Sequence, residues 1–349
     1  MVAALILMVL LIVSAFLNMG HFARNLLYGK GPRTHSVGPR LEEVITEDNE
    51  ASDKIVVVEI DGIITSRMMD KSGYSMVDII KAQLKHAEDD QKVKAVILKV
   101  DSPGGEVLAS DEIYRALWDF QHERHHKPII ASMGNLAASG GYYVSSPCQW
   151  IVANDLTITG SIGVIMHSYN YRGLMNKVGL RPETYKSGKF KDMLSGDRNP
   201  DEIPPEEREM VQKLIDETYG KFKDVVAKGR EWAHDQNKNN GEKKDQGREL
   251  SGSWADYADG RVLSGSEAYK LGFVDQLGNF QDAVKRAKKI AGITTDANLI
   301  EYQQRYDLSD IFRLFGQSPE GRVIKVDLGI EPPKLQVGQL YFLSPTFAH

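Results

Sequence analysis

Two stretches of this chain share the order of a buried strand, a glycine turn and a helix. In the first, an apolar run over residues 92–101 precedes Ser102-Pro-Gly-Gly105 and then an amphipathic helix. In the second, a strand near 128–133 leads into Asn135-Leu-Ala-Ala-Ser-Gly-Gly-Tyr-Tyr143. Strands that alternate with helices indicate parallel βα units. We therefore expect an α/β fold.

Ser139 has the surroundings that a nucleophile needs. Alanines precede it and a Gly-Gly pair follows it, so that a reacting carbonyl can approach closely. A serine hydroxyl needs a base to remove its proton, and a lysine can do this when burial disfavours its charged form. Lys191, downstream, is the candidate base. The alternative for this segment is a run of small residues at a helix start packed against a sheet.

The turn at Gly104 and Gly105 predicts a second element of the same site. A strand, a glycine turn and a helix place backbone N–H groups at a helix N-terminus, where negative charge is favoured. Such groups can form an oxyanion hole, which binds the oxygen that becomes negative during attack. The alternative is a plain tight turn.

Together these residues resemble the signal peptide peptidase A family, a branch of the ClpP/crotonase superfamily, between about Lys54 and Gly278. The resemblance rests on five motifs in order: Val100-Asp-Ser-Pro-Gly-Gly105, Ala137-Ala-Ser-Gly-Gly-Tyr-Tyr143, Thr159-Gly-Ser-Ile-Gly-Val-Ile165, Tyr185-Lys-Ser-Gly-Lys-Phe-Lys-Asp192 and Ala258-Asp-Gly-Arg-Val-Leu-Ser-Gly265.

The resemblance implies a role for each matching residue. Ser139 corresponds to the nucleophile and Lys191 to the general base, while Gly104 and the backbone of Gly140 correspond to the oxyanion donors. Ser161 corresponds to a hydroxyl that orients the lysine. The implied fold is a ClpP/crotonase-like repeated ββα superhelix.

The resemblance also implies an assembly and a substrate. We expect a ring-shaped homo-oligomer in which the lysine can come from a neighbouring protomer. An apolar cleft would accept residual signal peptides, with Tyr142 and Tyr143 as candidate lining residues.

The N-terminus predicts a membrane anchor over residues 1–20. Val2 to Gly20 contains no charged residue, and its length suits one transmembrane helix. A cleaved signal peptide is the alternative, but a basic start and a clear cleavage site are lacking. The basic residues that follow the anchor would place the body in the cytoplasm. The resemblance implies an extracytoplasmic domain on a single-pass protein of the cell membrane, and we follow it.

The remaining sequence divides into a linker, a domain and a tail. Residues 21–52 lack apolar periodicity and are predicted to be a linker. Residues 53–300 form the predicted peptidase domain, with the longest helix over 204–230 and a polar insert over 234–249 that is expected to be a surface loop or disordered. Residues 301–349 are a C-terminal tail, whose apolar run over 335–343 suits an edge strand or a docking tail.

Composition and motifs argue against other partners. The net charge of −5, with 26% charged residues, makes nucleic acid an unlikely ligand. No nucleotide-binding glycine motif is present, and we expect no cofactor. His122-Glu-Arg-His-His126 fits the zinc-protease pattern, but Lys127-Pro128 disfavours the helix that this motif requires, so we expect no metal site.

Other functions remain open from the residues alone. His167 lies downstream of Ser139 and would suit a Ser-His-Asp triad, although the fuller motif match favours Lys191. A crotonase-fold acyl-CoA enzyme would share the glycine turn, and an inactive membrane scaffold would share the anchor. Our prediction is a membrane-anchored serine endopeptidase with a Ser-Lys dyad that degrades residual signal peptides or other membrane-associated peptides.

Overall fold

The computed structural model describes residues 38–68, 73–122, 127–304 and 340–343. Its strands are β1 (Leu41–Glu47), β2 (Asp53–Asp61), β3 (Val93–Ser102), β4 (Gly104–Glu106), β5 (Ile129–Ala138), β6 (Trp150–Ala153), β7 (Ile158–Gly160), β8 (Val262–Ser264), β9 (Gln276–Leu277), β10 (Ala297–Gln304) and β11 (Tyr341–Leu343). Its α-helices are α1 (Met76–Asp89), α2 (Val107–His122), α3 (Gly140–Ser145), α4 (Arg172–Lys177), α5 (Pro205–Asn237), α6 (Gly265–Leu271) and α7 (Phe280–Ile290).

Most of these strands form one largely parallel sheet. Their order is β1-β10-β2-β3-β5-β6-β9, and β7 pairs with both β5 and β8. The central pairs are parallel, whereas β1 runs antiparallel to β10 at one edge and β8 runs antiparallel to β7. Strand β4 stands outside this sheet and pairs with β11. The expected α/β fold with a parallel sheet is confirmed.

Both faces of the sheet are buried, which explains why its central strands are almost continuously apolar. On β3, Val96, Leu98 and Val100 face one hydrophobic cluster, and Ala95 and Ile97 face the other. The first cluster includes residues of α1, α2, α3 and α5, whereas α7 covers the second. The carboxyl ends of β3 and β5 lead into the two glycine turns, so the fold brings these turns to one edge of the sheet.

Two boundary predictions need correction. Within the predicted linker, residues 41–47 form an edge strand, because β10 offers a free edge on which Val44 and Ile45 can pair. In the predicted polar insert, α5 continues to Asn237, and Asp245 is buried where it contacts Arg286 and Lys289. Partners that lie about forty residues away hold this polar stretch in place.

The predicted anchor over residues 1–20 lies outside the described residues. Within the described ranges, no helix has both the length and the apolar character needed to cross a membrane.

Candidate active site

The two glycine turns meet through their backbones. A Cβ atom on Gly104 would stand 2.6 Å from the backbone nitrogen of Gly140, and one on Gly140 would stand 3.0 Å from the Cα atom of Gly104. Gly104 also has φ +100°, a region that favours glycine. The close approach therefore requires glycine at both positions. It brings the two predicted oxyanion residues together.

Ser139 lies between β5 and α3 in a strained backbone conformation. Its φ of 54° and ψ of −116° are unfavourable for a residue with a Cβ atom, and such strain concentrates at functional sites. Its N–H donates to Gly160 O at 2.8 Å, and its carbonyl oxygen accepts from Tyr143 N at 2.8 Å. The side chain is only 1% exposed, and Oγ has no hydrogen-bond partner. Within the described part of the chain, no side chain is therefore hydrogen-bonded to the hydroxyl as a base would be.

The N–H of Gly104 is already engaged in this structure. It donates to the side-chain hydroxyl of Ser102 at 3.1 Å, within the same turn. A substrate oxygen must therefore share this donor with Ser102 or displace the Ser102 hydroxyl.

Ser161 directly follows Gly160, whose carbonyl oxygen accepts the hydrogen bond from the N–H of Ser139. Strand β7 ends at Gly160, which pairs with Ala138, and Ser161 then adopts φ 50°. Its N–H donates to Arg261 O at 2.7 Å, and its side chain is buried. The structure thus places Ser161 in the neighbourhood of Ser139.

Lys191 stands apart from this group. Its side chain is exposed, whereas Ser139 is buried, and no described residue hydrogen-bonds to Ser139 Oγ. Lys191 lies in a stretch, residues 168–191, in which no residue is buried. Large apolar side chains are exposed there: Tyr169, Tyr171, Leu174, Val178, Leu180 and Tyr185. We call residues 168–191 the exposed segment.

The two candidate lining tyrosines have different surroundings. The Tyr142 hydroxyl donates to Phe273 O at 2.9 Å inside the core, and burial raises the pKa of Tyr142. The Tyr143 hydroxyl donates to Asp111 Oδ1 at 2.8 Å, and its ring stacks on Phe342 with centroids 4.8 Å apart. Burial, and then the hydrogen bond to Asp111, raise the pKa of Tyr143. Through this stack Tyr143 contacts β11, in the part of the C-terminal tail that the structure describes.

In the described part of the chain, the residues of the alternative sites, which are the His167 triad, the zinc motif and Cys148, do not form a catalytic or metal-binding arrangement. His167 Nε2 is buried without a hydrogen-bond partner among the described residues, so this nitrogen is not bonded to a serine hydroxyl. The His122 ring stacks on Trp118 at the end of α2, and residues 123–126 lie outside the described ranges. No group of His, Cys, Asp or Glu side chains suited to a metal ion occurs among the described residues. Burial raises the pKa of the Cys148 thiol, as expected for an inert core cysteine.

Glu106 is a polar feature of the site that sequence reasoning missed. Its carboxylate accepts from Thr65 Oγ1 at 2.9 Å and from both the N–H and the hydroxyl of Ser66, at 2.9 and 2.6 Å. Burial by itself raises the pKa of Glu106, but the hydrogen bonds from Ser66 and Thr65 outweigh it and hold the pKa below 4.5. Glu106 thereby ties residues 64–67 to the strand that begins at Gly104.

A buried serine with a strained backbone, beside two closely packed glycine turns, indicates that this α/β protein is a serine hydrolase. The chain belongs to peptidase family S49, whose sequence profile matches residues 121–256 and 246–294. It is a serine peptidase, and the resemblance noted from the motifs is confirmed.

Relatives cover most of the chain. A putative signal peptide peptidase SppA of Enterococcus faecium is 36% identical over 267 residues, which are 75% of this chain and 71% of that protein. A putative protease of Synechocystis is 39% identical over 70% of this chain and 76% of that protein. Protease 4 of Haemophilus influenzae is 30% identical over 81% of this chain and 43% of its own length.

Among solved structures, a substrate-peptide complex of the 1510-N membrane-bound stomatin-specific protease covers 76% of this chain and 98% of that chain. The sequence identity is 15% and the TM-score is 0.42, a similarity too low to carry over detail.

Proposed function

We propose that this chain is a serine endopeptidase that uses Ser139 as nucleophile and Lys191 as general base. The observation that carries the proposal is the state of Ser139: a buried, unpartnered hydroxyl on a strained backbone, next to the contact between Gly104 and Gly140. No other serine in the matched motifs combines these properties. Family membership supports the reaction class.

The proposed chemistry assigns one role to each of these residues. Neutral Lys191 takes the proton of Ser139 Oγ while this oxygen attacks the carbonyl carbon of a peptide bond. The N–H groups of Gly104 and Gly140 stabilise the negative oxygen of the tetrahedral intermediate. The protonated lysine then gives its proton to the leaving amine, and the C–N bond breaks. A water molecule, activated by the same lysine, hydrolyses the acyl-serine.

We propose that Lys191 reaches Ser139 of a second copy of this chain in a ring-shaped homo-oligomer. Two observations support this arrangement: Lys191 is exposed on its own chain, and the exposed segment presents six large apolar side chains to solvent. A concentration of exposed large apolar side chains in one segment is typical of protein interfaces. A second copy would cover it and bring an amine to the buried hydroxyl, with Ser161 as the hydroxyl that orients this amine.

The proposed substrates are residual signal peptides or other membrane-associated peptides, which fit an apolar cleft. The proposed anchor over residues 1–20 would hold the enzyme at the cell membrane with its catalytic domain outside the cytoplasm, and would bring it close to such substrates. We also propose that the βα units belong to a ClpP/crotonase-like ββα superhelix. The same fold serves acyl-CoA enzymes, and the unpartnered Ser139 favours the peptidase over that alternative and over an inactive scaffold.

Active-site labelling tests the nucleophile. The detergent-solubilised full chain should react with a fluorophosphonate probe, and Ser139→Ala should not. Ser145→Ala is a matched control, because this buried serine lies on α3, the short helix that directly follows Ser139, and its hydroxyl donates to Gly141 O at 2.7 Å. Equal labelling of wild type and Ser139→Ala would show that another residue is the nucleophile. Turnover of an acyl-CoA with no peptide cleavage would favour the crotonase-like alternative.

Co-assembly tests the origin of the lysine. Ser139→Ala and Lys191→Met, each inactive alone, are co-expressed with different tags, and assemblies that carry both tags are purified. Recovery of peptidase activity requires a serine from one chain and a lysine from another. Absence of activity in assemblies shown to contain both chains would mean that each protomer holds a complete dyad.

A further inference from the structure

The residue that follows Lys191 closes a turn around the proposed base. The carboxylate of Asp192 accepts a hydrogen bond of 2.6 Å from Lys186 Nζ, and its side chain is only 12% exposed. This hydrogen bond lowers the pKa of Asp192, so the carboxylate is charged at neutral pH. The contact closes residues 186–192 into a turn on which the side chain of Lys191 is exposed. We call residues 186–192 the lysine turn.

Arg198 connects the lysine turn to helix α5. Its Nε lies 3.5 Å from Asp192 Oδ2, its Nη1 donates to both carboxylate oxygens of Glu207 at 2.7 and 2.9 Å, and its Nη2 donates to Glu202 O at 3.0 Å. Glu207 lies in the first turn of α5 and is 3% exposed. Because a guanidinium presents its N–H donors in one rigid plane, this single side chain can hold its three acceptors in a fixed arrangement.

The backbone around Arg198 is also held by the beginning of the exposed segment. Asn170 Nδ2 donates to Arg198 O at 2.9 Å, and the N–H of Tyr171 donates to Gly196 O at 2.8 Å. A Cβ atom on Gly196 would stand 2.2 Å from Tyr169 O, so the two backbones pack closely there. The exposed segment, the lysine turn and the first turn of α5 are therefore connected through the residues around Arg198.

We propose that Arg198 is a positioning residue that holds Lys191 in place for proton transfer from Ser139. This inference rests on the proposed function, in which Lys191 is the base. Arg198 joins the residue next to the base to α5, and α5 is firmly placed because it packs into the first hydrophobic cluster. A general base must lie within hydrogen-bond reach of the proton that it takes. A long lysine side chain on an unsupported, exposed turn would rarely meet this condition.

Glu206 provides a matched control on the same turn of α5. Its carboxylate lies 3.5 Å from Lys189 Nζ, so it also contacts the lysine turn. The two side chains are 52% and 61% exposed, and exposed ion pairs contribute little because water screens them. Glu206→Gln and Glu207→Gln therefore make the same chemical change at neighbouring positions, and only Glu207→Gln alters the buried contact with Arg198.

The test measures kcat and KM of the full chain with a fluorogenic peptide that wild type cleaves. Arg198→Met should lower kcat by roughly 10- to 100-fold and leave KM nearly unchanged, since misplacement of a catalytic group by about 1 Å can cost 100-fold in rate. Glu207→Gln should lower kcat in the same direction. Arg198→Lys, which keeps the charge and loses the planar donor set, should give an intermediate kcat. Glu206→Gln should have the kcat of wild type.

A double variant separates positioning from folding. Arg198→Met leaves the buried carboxylate of Glu207 without its partner and should destabilise the protein. Arg198→Met combined with Glu207→Met removes both charges, so the midpoint of thermal unfolding should recover. Its kcat should stay as low as that of Arg198→Met, because Asp192 still has no link to α5. The native mass of each variant, measured in detergent, should equal that of wild type.

The outcomes separate this inference from the proposed function. Equal kcat in Arg198→Met and Glu206→Gln, in a protein whose Lys191→Met variant is inactive, overturns the positioning role. Recovery of kcat together with stability in the double variant also overturns it, and so does a smaller native mass of Arg198→Met, because Arg198 would then serve folding or assembly. Full activity of Lys191→Met, or a wild-type chain that cuts no peptide, contradicts the proposed function instead.

Discussion

Gly104 and Gly140 touch through their backbones although each belongs to a different strand–turn–helix unit: a Cβ atom on Gly140 would stand 3.0 Å from the Cα atom of Gly104. The same added atom would lie 2.8 Å from Ser110 Oγ. The packing of α2 against α3 thus fixes the separation of the two proposed oxyanion donors. A side chain at either glycine must push the two turns apart.

Gly140→Ala should therefore lower kcat strongly while most of the fold survives. A displacement of the oxyanion donors by about 1 Å can reduce the rate by roughly 100-fold. Peptide hydrolysis and thermal unfolding measured side by side will separate the two effects. Gly220→Ala is the control, because nothing lies within 4 Å of that added methyl group. Equal kcat in both variants would show that this contact does not position the donors.

Lys191→Met should abolish peptidase activity and leave the protein folded, since it removes the amine and keeps a side chain of similar length. Lys191→Arg should fail as well, because a guanidinium stays charged and cannot accept a proton. Lys189→Met, which changes an exposed lysine that contacts Glu206 and Phe190, should retain activity. If Lys191→Met stayed active and His167→Ala did not, the base would be His167.

The sequence predicted the local parts of this site better than the contacts between distant parts. Glycine turns after apolar strands are short-range patterns, and they drew attention to Gly104 and Gly140, which the parallel sheet then brings together at one edge. A motif also pointed to Lys191. A local motif does not indicate which residues the segment around Lys191 contacts.

Contacts across long separations could not be predicted in this way. The sequence predicted the long helix that carries Phe222, but the contact of its ring with that of Phe342, with centroids 4.6 Å apart, joins residues more than a hundred positions apart in the sequence. Asp245 lies in a polar stretch that looked unstructured, because its partners Arg286 and Lys289 are on another helix. Contacts between residues that are distant in the sequence are determined by the tertiary structure, and the periodicity of apolar residues does not predict them.

The carboxylate of Glu106 should make the free energy of unfolding depend on pH. Its pKa is lowered in the folded protein, so its stabilising contribution is complete above about 4.5, the ordinary value, and is lost as the pH falls below that value. Glu106→Gln should lower the free energy of unfolding by about 1–2 kcal/mol at pH 7. The difference from wild type should shrink as the pH is lowered from 5 to 3.

Urea denaturation of both proteins at several pH values measures this difference. Glu112→Gln is the control, since Glu112 is about half exposed and forms a surface ion pair with Lys81. A Glu106→Gln difference that stays constant down to pH 3 would show that the charge of Glu106 does not stabilise the fold. The same conclusion about the charge of Glu106 would follow if the stability difference between Glu112→Gln and wild type depended equally on pH.

The ion pair between Arg230 and Asp275 should be the most sensitive polar contact in the fold. Both side chains are buried, at 0% and 1% exposed. Arg230 also donates to Cys148 O at 3.1 Å, and Asp275 accepts from the N–H groups of Ile151 and Arg248 at 2.9 and 3.0 Å. Removal of one partner leaves a buried charge without compensation, which costs about 3–5 kcal/mol.

Asp275→Ala should accordingly lower the free energy of unfolding by about 3–5 kcal/mol, whereas Asp235→Ala, which breaks an exposed pair with Lys238, should change it little. The double variant Arg230→Met with Asp275→Ala should recover part of the loss, because no unpaired charge remains buried. Chemical denaturation of wild type, Arg230→Met, Asp275→Ala and the double variant gives the coupling energy directly, with Asp235→Ala measured beside them as the control. A double variant no more stable than Asp275→Ala alone would show that the lost hydrogen bonds to Ile151 and Arg248, and not the unpaired arginine, account for the effect.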